Sequence, residues 1–396
     1  MWKISLSDLR LHPDDHRAVA DVLTSNWLTM GPRTQAFEEA FANGLDPDHP
    51  PHAFAVANCT VALHMALVAL EVGPGDEVIV PSLTFVATAN AALYTGATVV
   101  LADVTSEDDL TISVDDVLAK ISPRTRAVIV VHYAGQPCDM RRLKLECKRR
   151  GIAIVEDVAH APLADGWIDD DRSMALGTIG DIGCFSFFSN KNMVTGEGGM
   201  VTTRDPKLAE RMRLLRSHGM TTMTLDRHRG HAYTYDVVAL GFNYRMDEMR
   251  AALGLSQLGR LPENNRRRSD VIACYRQSLS AYPELTMPFA GRFPQGRTAP
   301  HIAVVLLPPG VDRQTVQEHM KAAGVQTSVH YPPIHGFTMH KDSSRVMKDG
   351  LAQTKALAPR LLTLPLYPDL SESEVAFVVR SLAEAVQAQV INTPNA

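Results

Sequence analysis

Several things are missing from this 396-residue chain, and each absence excludes a class of function. No stretch reaches the roughly 18 consecutive apolar residues that a membrane-spanning helix needs. The opening MWKISLSDLRLHPDD has no apolar core of the kind a secretion signal carries. No charge dominates either: 39 Lys and Arg stand against 44 Asp and Glu, a net charge of -5. Nothing in that balance favours nucleic acid or an anionic membrane as partner. Cysteines are few and scattered: Cys59, Cys138, Cys147, Cys184 and Cys274. Their odd number and the lack of CxxC spacing argue against a disulfide frame or a zinc site. The expectation is buried thiols in a reducing, cytoplasmic setting, where the Asn58-Cys59-Thr60 sequon has no glycosylation role. Internal repeats and low-complexity tracts are also missing.

What remains has the balance of a soluble globular protein, 45% hydrophobic and 21% charged. The length sets a prior of about two domains. From about residue 54 to 205, helical patterns alternate with short apolar strands. TVALHMALVALEVGPGD predicts a helix stopped at Gly73-Pro74, and EVIV (77–80) a short buried strand. ATANAALYTG predicts a second helix before the strand ATVVLADV (97–104). RAVIVVHY (126–133) and IAIVED (152–157) predict strands on either side of a charged helix ending at Gly151. Such alternation implies an α/β domain with a mostly parallel sheet, with ligands beyond the carboxyl ends of its strands. Past residue 247 a long helical stretch (247–281) precedes strand signals at HIAVVLLP and GVQTSVHY and a closing helix, SESEVAFVVRSLAEAVQ. The division expected is a large domain, 1–246, and a smaller C-terminal α+β domain, 247–396.

One segment asks for a chemical explanation. In FSFFSNKNMVTGEGGM (185–200), Lys191 lies between an aromatic strand-like run and Glu197, which Gly196, Gly198 and Gly199 flank. Phe185, Phe187 and Phe188 point to a buried segment, and the glycines permit sharp turns or close backbone approach. A lysine held near a core has a depressed pKa, and its neutral amine is a nucleophile for carbonyl carbons. Asp157 ends the strand IAIVED, with Glu156 on the opposite face by the period of two. Asn58 to Val61 opens a helix whose free N–H groups suit a phosphate, although capping alone explains Asn58 or Thr60 equally well. Ser186 lies five residues before Lys191 and can give a hydroxyl to the same anion. An amine, an acid for a pyridinium nitrogen and a helix N-terminus for a phosphate are what pyridoxal 5'-phosphate requires.

The motifs VANCTVALHMAL, GPGDEVIVPSLTFVATANA, VHYAGQPCDM, VEDVAHAP, GTIGDIGCFSFFSNKNMVTGEGGMV and LGFNYRMDEMRAALG resemble the DegT/DnrJ/EryC1/StrS aminotransferases. The resemblance runs from about residue 25 to 375. It implies the aspartate-aminotransferase fold (fold type I) and transfer of an amino group, by family habit from L-glutamate, to a nucleotide-linked keto sugar. It also implies roles by position. Lys191 matches the lysine that bonds to the cofactor, Asp157 the pyridinium partner, and His160 a residue near the cofactor's phenolic oxygen. Phe85 matches the aromatic that stacks on the ring; Thr60, Val61 and Ser186 match phosphate contacts. NCTVALH departs from the family's Gly-Thr-Ala or Gly-Thr-Ser, so a hydroxyl contact from position 61 is lost while a backbone N–H contact at Val61 survives. Asn243, in GFNYRM, matches a residue that reaches the phosphate from a neighbouring subunit, which implies a homodimer. The apolar helix MRAALGLSQLGRL that follows is expected at the subunit interface.

Intact Lys191 argues against the family's sugar dehydratases, in which histidine replaces the lysine. Members that aminate a cyclitol or make an aromatic amine remain open alternatives. A non-catalytic regulatory role predicts a degraded lysine or aspartate, and both are present. DRHRGHAYTYD (226–236) concentrates His228, Arg229 and His231. It lacks a carboxylate or cysteine at ligand spacing, so no metal is expected; a solvated loop and a basic active-site mouth stay open. In SVHYPPIHGF (328–337), His330 and His335 flank Pro332-Pro333; they line the substrate entrance or are structural.

Overall fold

The computed structural model describes residues 2–169, 171–222, 234–291 and 297–391. Its strands are short apolar runs, as the alternating pattern predicts. In chain order they are β1 (His52–Val56), β2 (Glu77–Pro81), β3 (Thr98–Ala102), β4 (Thr125–Val131), β5 (Ala153–Asp157) and β6 (Asp165–Trp167). There follow β7 (Ser173–Ala175), β8 (Ile182–Ser186), β9 (Gly199–Thr203), β10 (Ala303–Leu306), β11 (Val346–Met347) and β12 (Leu361–Leu364). Eight of them form one sheet in the order β1-β9-β8-β5-β4-β2-β3-β11. Strand β9 runs antiparallel to both neighbours, and the other pairings are parallel. The remaining strands make two small antiparallel pairs, β6 with β7 and β10 with β12.

Both faces of the sheet are covered by helices, which is why strands such as β2 are buried throughout. On one face, Phe37 and Phe41 of α2 (Pro32–Leu45), Val117 of α5 (Val114–Lys120) and Leu143 of α6 (Met140–Arg150) share a core with Phe185 and Phe187. On the other, Leu63 of α3 (Cys59–Ala69), Ala89 of α4 (Val86–Tyr94) and Met212 of α7 (Pro206–Leu215) pack on Val78, Val99 and Val155. A second layer gathers β10 and β12 with the helices Leu261–Leu279, Arg313–Ala323 and Glu372–Ile391 around Tyr275, Val316 and Leu382. All five cysteines are free thiols, four of them buried. No helix of the described residues is long and apolar enough to cross a membrane.

Several local expectations need correction. The stretch 247–281 is two helices, Glu248–Leu258 and Leu261–Leu279, because Gly259 weakens the chain there and Pro262 restarts it in a first turn. The first of these packs within its own chain on α1 (Pro13–Ser25) and α2, and its Ala251 is fully buried in the core shared with Phe37. GVQTSVHY is no strand; only the isolated bridges Ile4–Val325 and Ser328–Thr363 form there. Helix α3 ends at Ala69, before Gly73, because Glu71 turns to a left-handed conformation. Strand β11, from the C-terminal part of the chain, pairs with β3 at the edge of the main sheet.

Candidate active site

The parallel strands deliver their carboxyl ends to one cavity of about 420 Å³. Asn58, Cys59 and Thr60 come from the turn after β1, Thr84 and Phe85 from the segment after β2, and Val131 from the end of β4. Asp157 and His160 follow from β5, and Ser186, Phe188 and Lys191 from β8. A parallel sheet places a ligand site here because successive loops meet at the same edge.

Strand period separates the two acids of β5. Glu156 is fully buried on the far face, where it accepts from the backbone N–H groups of Gly177 (2.9 Å), Ile179 (2.8 Å) and Gly180 (2.6 Å). His132 adds a fourth bond through Nε2, at 3.1 Å. Asp157 turns the other way, into the cavity. Among the described residues it accepts only from Thr88 Oγ1 (3.0 Å) and the Ala159 N–H (3.1 Å). Burial pushes its carboxyl pKa up, against the opposing pull of these bonds and of the Lys191 charge.

The lysine segment leaves β8 in a tight turn. The Lys191 N–H donates to Phe188 O at 2.9 Å, and the Thr195 N–H donates to Phe187 O at 2.8 Å. Phe185 and Phe187 anchor this turn on the far face, stacking edgewise on Phe41 and tilted on Phe37. Ser186 between them therefore faces the cavity. Phe188 is 44% exposed, contrary to the expectation of burial. Two of the glycines have firm reasons. Gly196 holds φ +83, and a Cβ on Gly199 would lie 2.7 Å from the Asn58 carbonyl carbon, closing the approach of β9 to α3. Burial lowers the Lys191 amine to about 8, with Asp157 and Cys59 opposing part of that shift.

At the start of α3, Asn58 is the N-cap, and its Oδ1 takes the Val61 N–H at 3.0 Å. That amide is thus engaged within the helix, and the Val61 side chain packs against the apolar core instead of lining the cavity. The N–H groups of Cys59 and Thr60 have no acceptor among the described residues. Asn243 is exposed and does not line this cavity.

Tyr331 and His301 were missed by sequence reasoning, and the C-terminal part of the chain supplies both. His160 Nδ1 accepts the Ala134 N–H (3.3 Å), so its Nε2 carries the proton and donates to Tyr331 Oη at 2.7 Å. Burial lowers the His160 pKa well below the usual range, leaving the ring neutral. Tyr331 also packs beside Phe85, with ring centroids 5.7 Å apart. His301 Nε2 lies 3.4 Å from Lys191 Nζ. The motif SVHYPPIHGF holds the signal for Tyr331, but its histidines are the more conspicuous residues. Those two part company: His330 lines the cavity, whereas His335 bonds Ser82 Oγ at 2.8 Å outside it. Residues 226–233, with His228, Arg229 and His231, lie outside the described residues.

Comparison with known proteins places the chain in a family. Residues 10–383 match the DegT/DnrJ/EryC1/StrS aminotransferase family. The spore coat polysaccharide biosynthesis protein SpsC of Bacillus subtilis (strain 168) is 36% identical over 381 residues, covering 94% of this chain and 95% of SpsC. The aminotransferase TlmJ of Streptoalloteichus hindustanus superposes with a TM-score of 0.86 at 34% identity, covering 98% of this chain and all of TlmJ. Spr1654 of Streptococcus pneumoniae, solved in its PMP form, gives 0.87 at 28% identity over 97% of this chain and 99% of its own. The two-sided, mostly parallel sheet is accordingly the aspartate-aminotransferase type. This chain belongs to the DegT/DnrJ/EryC1/StrS family and is a pyridoxal-phosphate-dependent sugar aminotransferase.

Proposed function

We propose that this enzyme converts a nucleotide-linked keto sugar to an amino sugar, with L-glutamate as donor and Lys191 as the lysine that holds the cofactor. One observation carries the assignment of roles: a buried amine lowered to about 8 and a buried carboxylate without an ion-pair partner among the described residues line the same cavity. These residues fit pyridoxal phosphate. When bound, that group supplies an aldehyde for capturing amines and a protonated ring that draws electrons from the carbon being deprotonated. Asp157 would hold the proton on the ring nitrogen, and Phe85 would cover one ring face. The N–H groups of Cys59 and Thr60, with the Thr60 and Ser186 hydroxyls, would hold the phosphate. His160, neutral and fixed by Ala134 and Tyr331, would stand by the phenolic oxygen. The freed Lys191 Nζ would take the proton from the donor's α-carbon and return it on the cofactor side.

We place the enzyme in a homodimer, because Asn243 lies beside an apolar surface that one chain leaves open. Val237 and Val238 are more than half exposed and Leu240 is 90% exposed. Asn243 would then complete the phosphate site of the second subunit. Mixing inactive Lys191→Ala and Asn243→Ala chains should restore activity through heterodimers with one intact site; no recovery, with heterodimers formed, would return Asn243 to its own subunit. The substrate reading is tested by offering nucleotide keto sugars and keto-cyclitols to the loaded enzyme with glutamate, followed by mass spectrometry. Amination of a cyclitol alone would overturn it.

A further inference from the structure

We propose that His301 is the positioning residue for Lys191, holding the lysine amine whenever that amine is not bonded to the cofactor. The inference rests on Lys191 being the cofactor lysine. His301 lies 110 residues away in sequence, just before β10, and only 4% of it is exposed. A chain of amides fixes its tautomer. Asn192 Nδ2 donates to Asn265 Oδ1 (2.9 Å) and to Pro300 O (3.2 Å), which leaves Asn192 Oδ1 as an acceptor. His301 Nδ1 faces that oxygen at 3.1 Å and so carries the ring proton. Nε2 is left with a lone pair, and the Lys191 amine lies 3.4 Å from it. The ring is braced on the other side too. Its backbone N–H donates to Ala134 O at 3.1 Å, and Asn265 is tied by its own amide to Pro162 O at 3.0 Å.

A free lysine amine can swing through several rotamers, and a fixed acceptor restricts that search. During capture the Lys191 nitrogen bonds to the aldehyde carbon, and the aldehyde oxygen leaves as water with two protons from the nitrogen. No oxidant or reductant is needed. An amine already held at the cavity wall gains the advantage of orientation, where a displacement of about 1 Å can cost on the order of a hundredfold. Asn192, next to Lys191 in sequence, thus acts through His301.

The test uses protein stripped of cofactor. Pyridoxal phosphate is added and the visible absorbance of the lysine-bound cofactor is followed, while affinity for pyridoxamine phosphate, which cannot bond to Lys191, is measured separately. His301→Phe keeps the ring volume without the acceptor. It should slow capture about tenfold, a fraction of the full orientation effect, and leave pyridoxamine phosphate affinity within about twofold. His301→Gln, whose amide can accept from Lys191 and donate to Asn192, should recover most of the rate. If the Phe variant does not fold, His301→Ala should show the same slowing, relieved by added imidazole. Unchanged capture in these variants would overturn the proposal, as would a fall in pyridoxamine phosphate affinity that matches the loss of rate. Borohydride reduction of the wild type separates the two readings. A label on another lysine would remove the Lys191 assignment and this inference together, whereas a label on Lys191 with fast His301 variants would remove only the inference.

Discussion

The two faces of β5 carry adjacent carboxylates that do opposite work. Glu156 is bonded by four N–H donors from its own chain, which together pin the turn at Gly177–Gly180 and the His132 ring. Asp157, one residue on, has two neutral donors and an upward-shifted pKa. A carboxylate whose bonds are filled by the fold belongs to the fold. One left short of positive charge in a cavity is suited to a ligand that brings a cation. Similar burial thus has two meanings, and the count of donors separates them.

The comparison predicts that changes on the cavity face destroy chemistry and spare the fold, while those on the far face do the reverse. Lys191→Ala should have the largest effect. It removes both covalent capture and proton transfer, and the proton share alone is about 10²–10⁴ in turnover. Steady-state rates and loss of the yellow colour would show it, with an unchanged melting temperature. Full activity in this variant would break the assignment.

Asp157→Asn comes next. It keeps the side-chain shape and the acceptor for the Ala159 N–H, turns the oxygen facing Thr88 into an amide that donates to that hydroxyl, and removes the charge. A charge-assisted bond of about 1.5–3 kcal/mol corresponds to roughly tenfold to a hundredfold in kcat. Cofactor affinity should fall less. If the Asp157→Asn variant supported normal turnover, the cavity-facing acid would have no role at the ring nitrogen.

Glu156→Gln should reverse the pattern. Its remaining oxygen can serve Ile179 and Gly180, while the new amide faces the Gly177 N–H and His132 Nε2–H, stranding two buried donors. At about 1–3 kcal/mol each, the protein should lose about 2–6 kcal/mol of stability, with kcat per folded molecule within a few-fold of wild type. Denaturant midpoints and rates on the same samples would decide it. A large kcat loss at full stability would erase the contrast between the faces.

The smallest effect sharpens the amine's side of the cavity. Only the neutral amine attacks, and Lys191 is held at about 8, so it is protonated below that value and neutral above. Capture of pyridoxal phosphate by the stripped protein should rise about tenfold per pH unit up to roughly pH 8 and then level off. A rise continuing to about 10.4, the ordinary lysine value, would show that burial does not tune this amine.

Much of the site is legible along the chain because its parts are local. Lys191 and Ser186 share one strand and turn, and the period of two is enough to put Asp157 and Glu156 on opposite faces. The amino end of α3 follows from Asn58 as a cap. Helix lengths are less legible. The break at Gly259 is hidden because the apolar pattern continues across it. The apolar face around Ala251 reads along the chain as a surface for a partner, since sequence does not say which α-helix covers which.

Residue order alone carries the parallel α/β sheet, the strand ends and the local succession of amine, acid and phosphate-binding turn, since strand and helix periods act over a few residues. Which distant groups complete the cavity is a matter of tertiary packing. Tyr331 meets His160 across 171 residues, and His301 meets Lys191 across 110, through packing of the β10–β12 layer on the main sheet. Within the main sheet, packing of the Gly177–Gly180 turn and of His132 likewise supplies all four donors to Glu156. Hydrogen-bond partners and burial depend on what the fold brings within about 3 Å, and no periodicity of the chain encodes that.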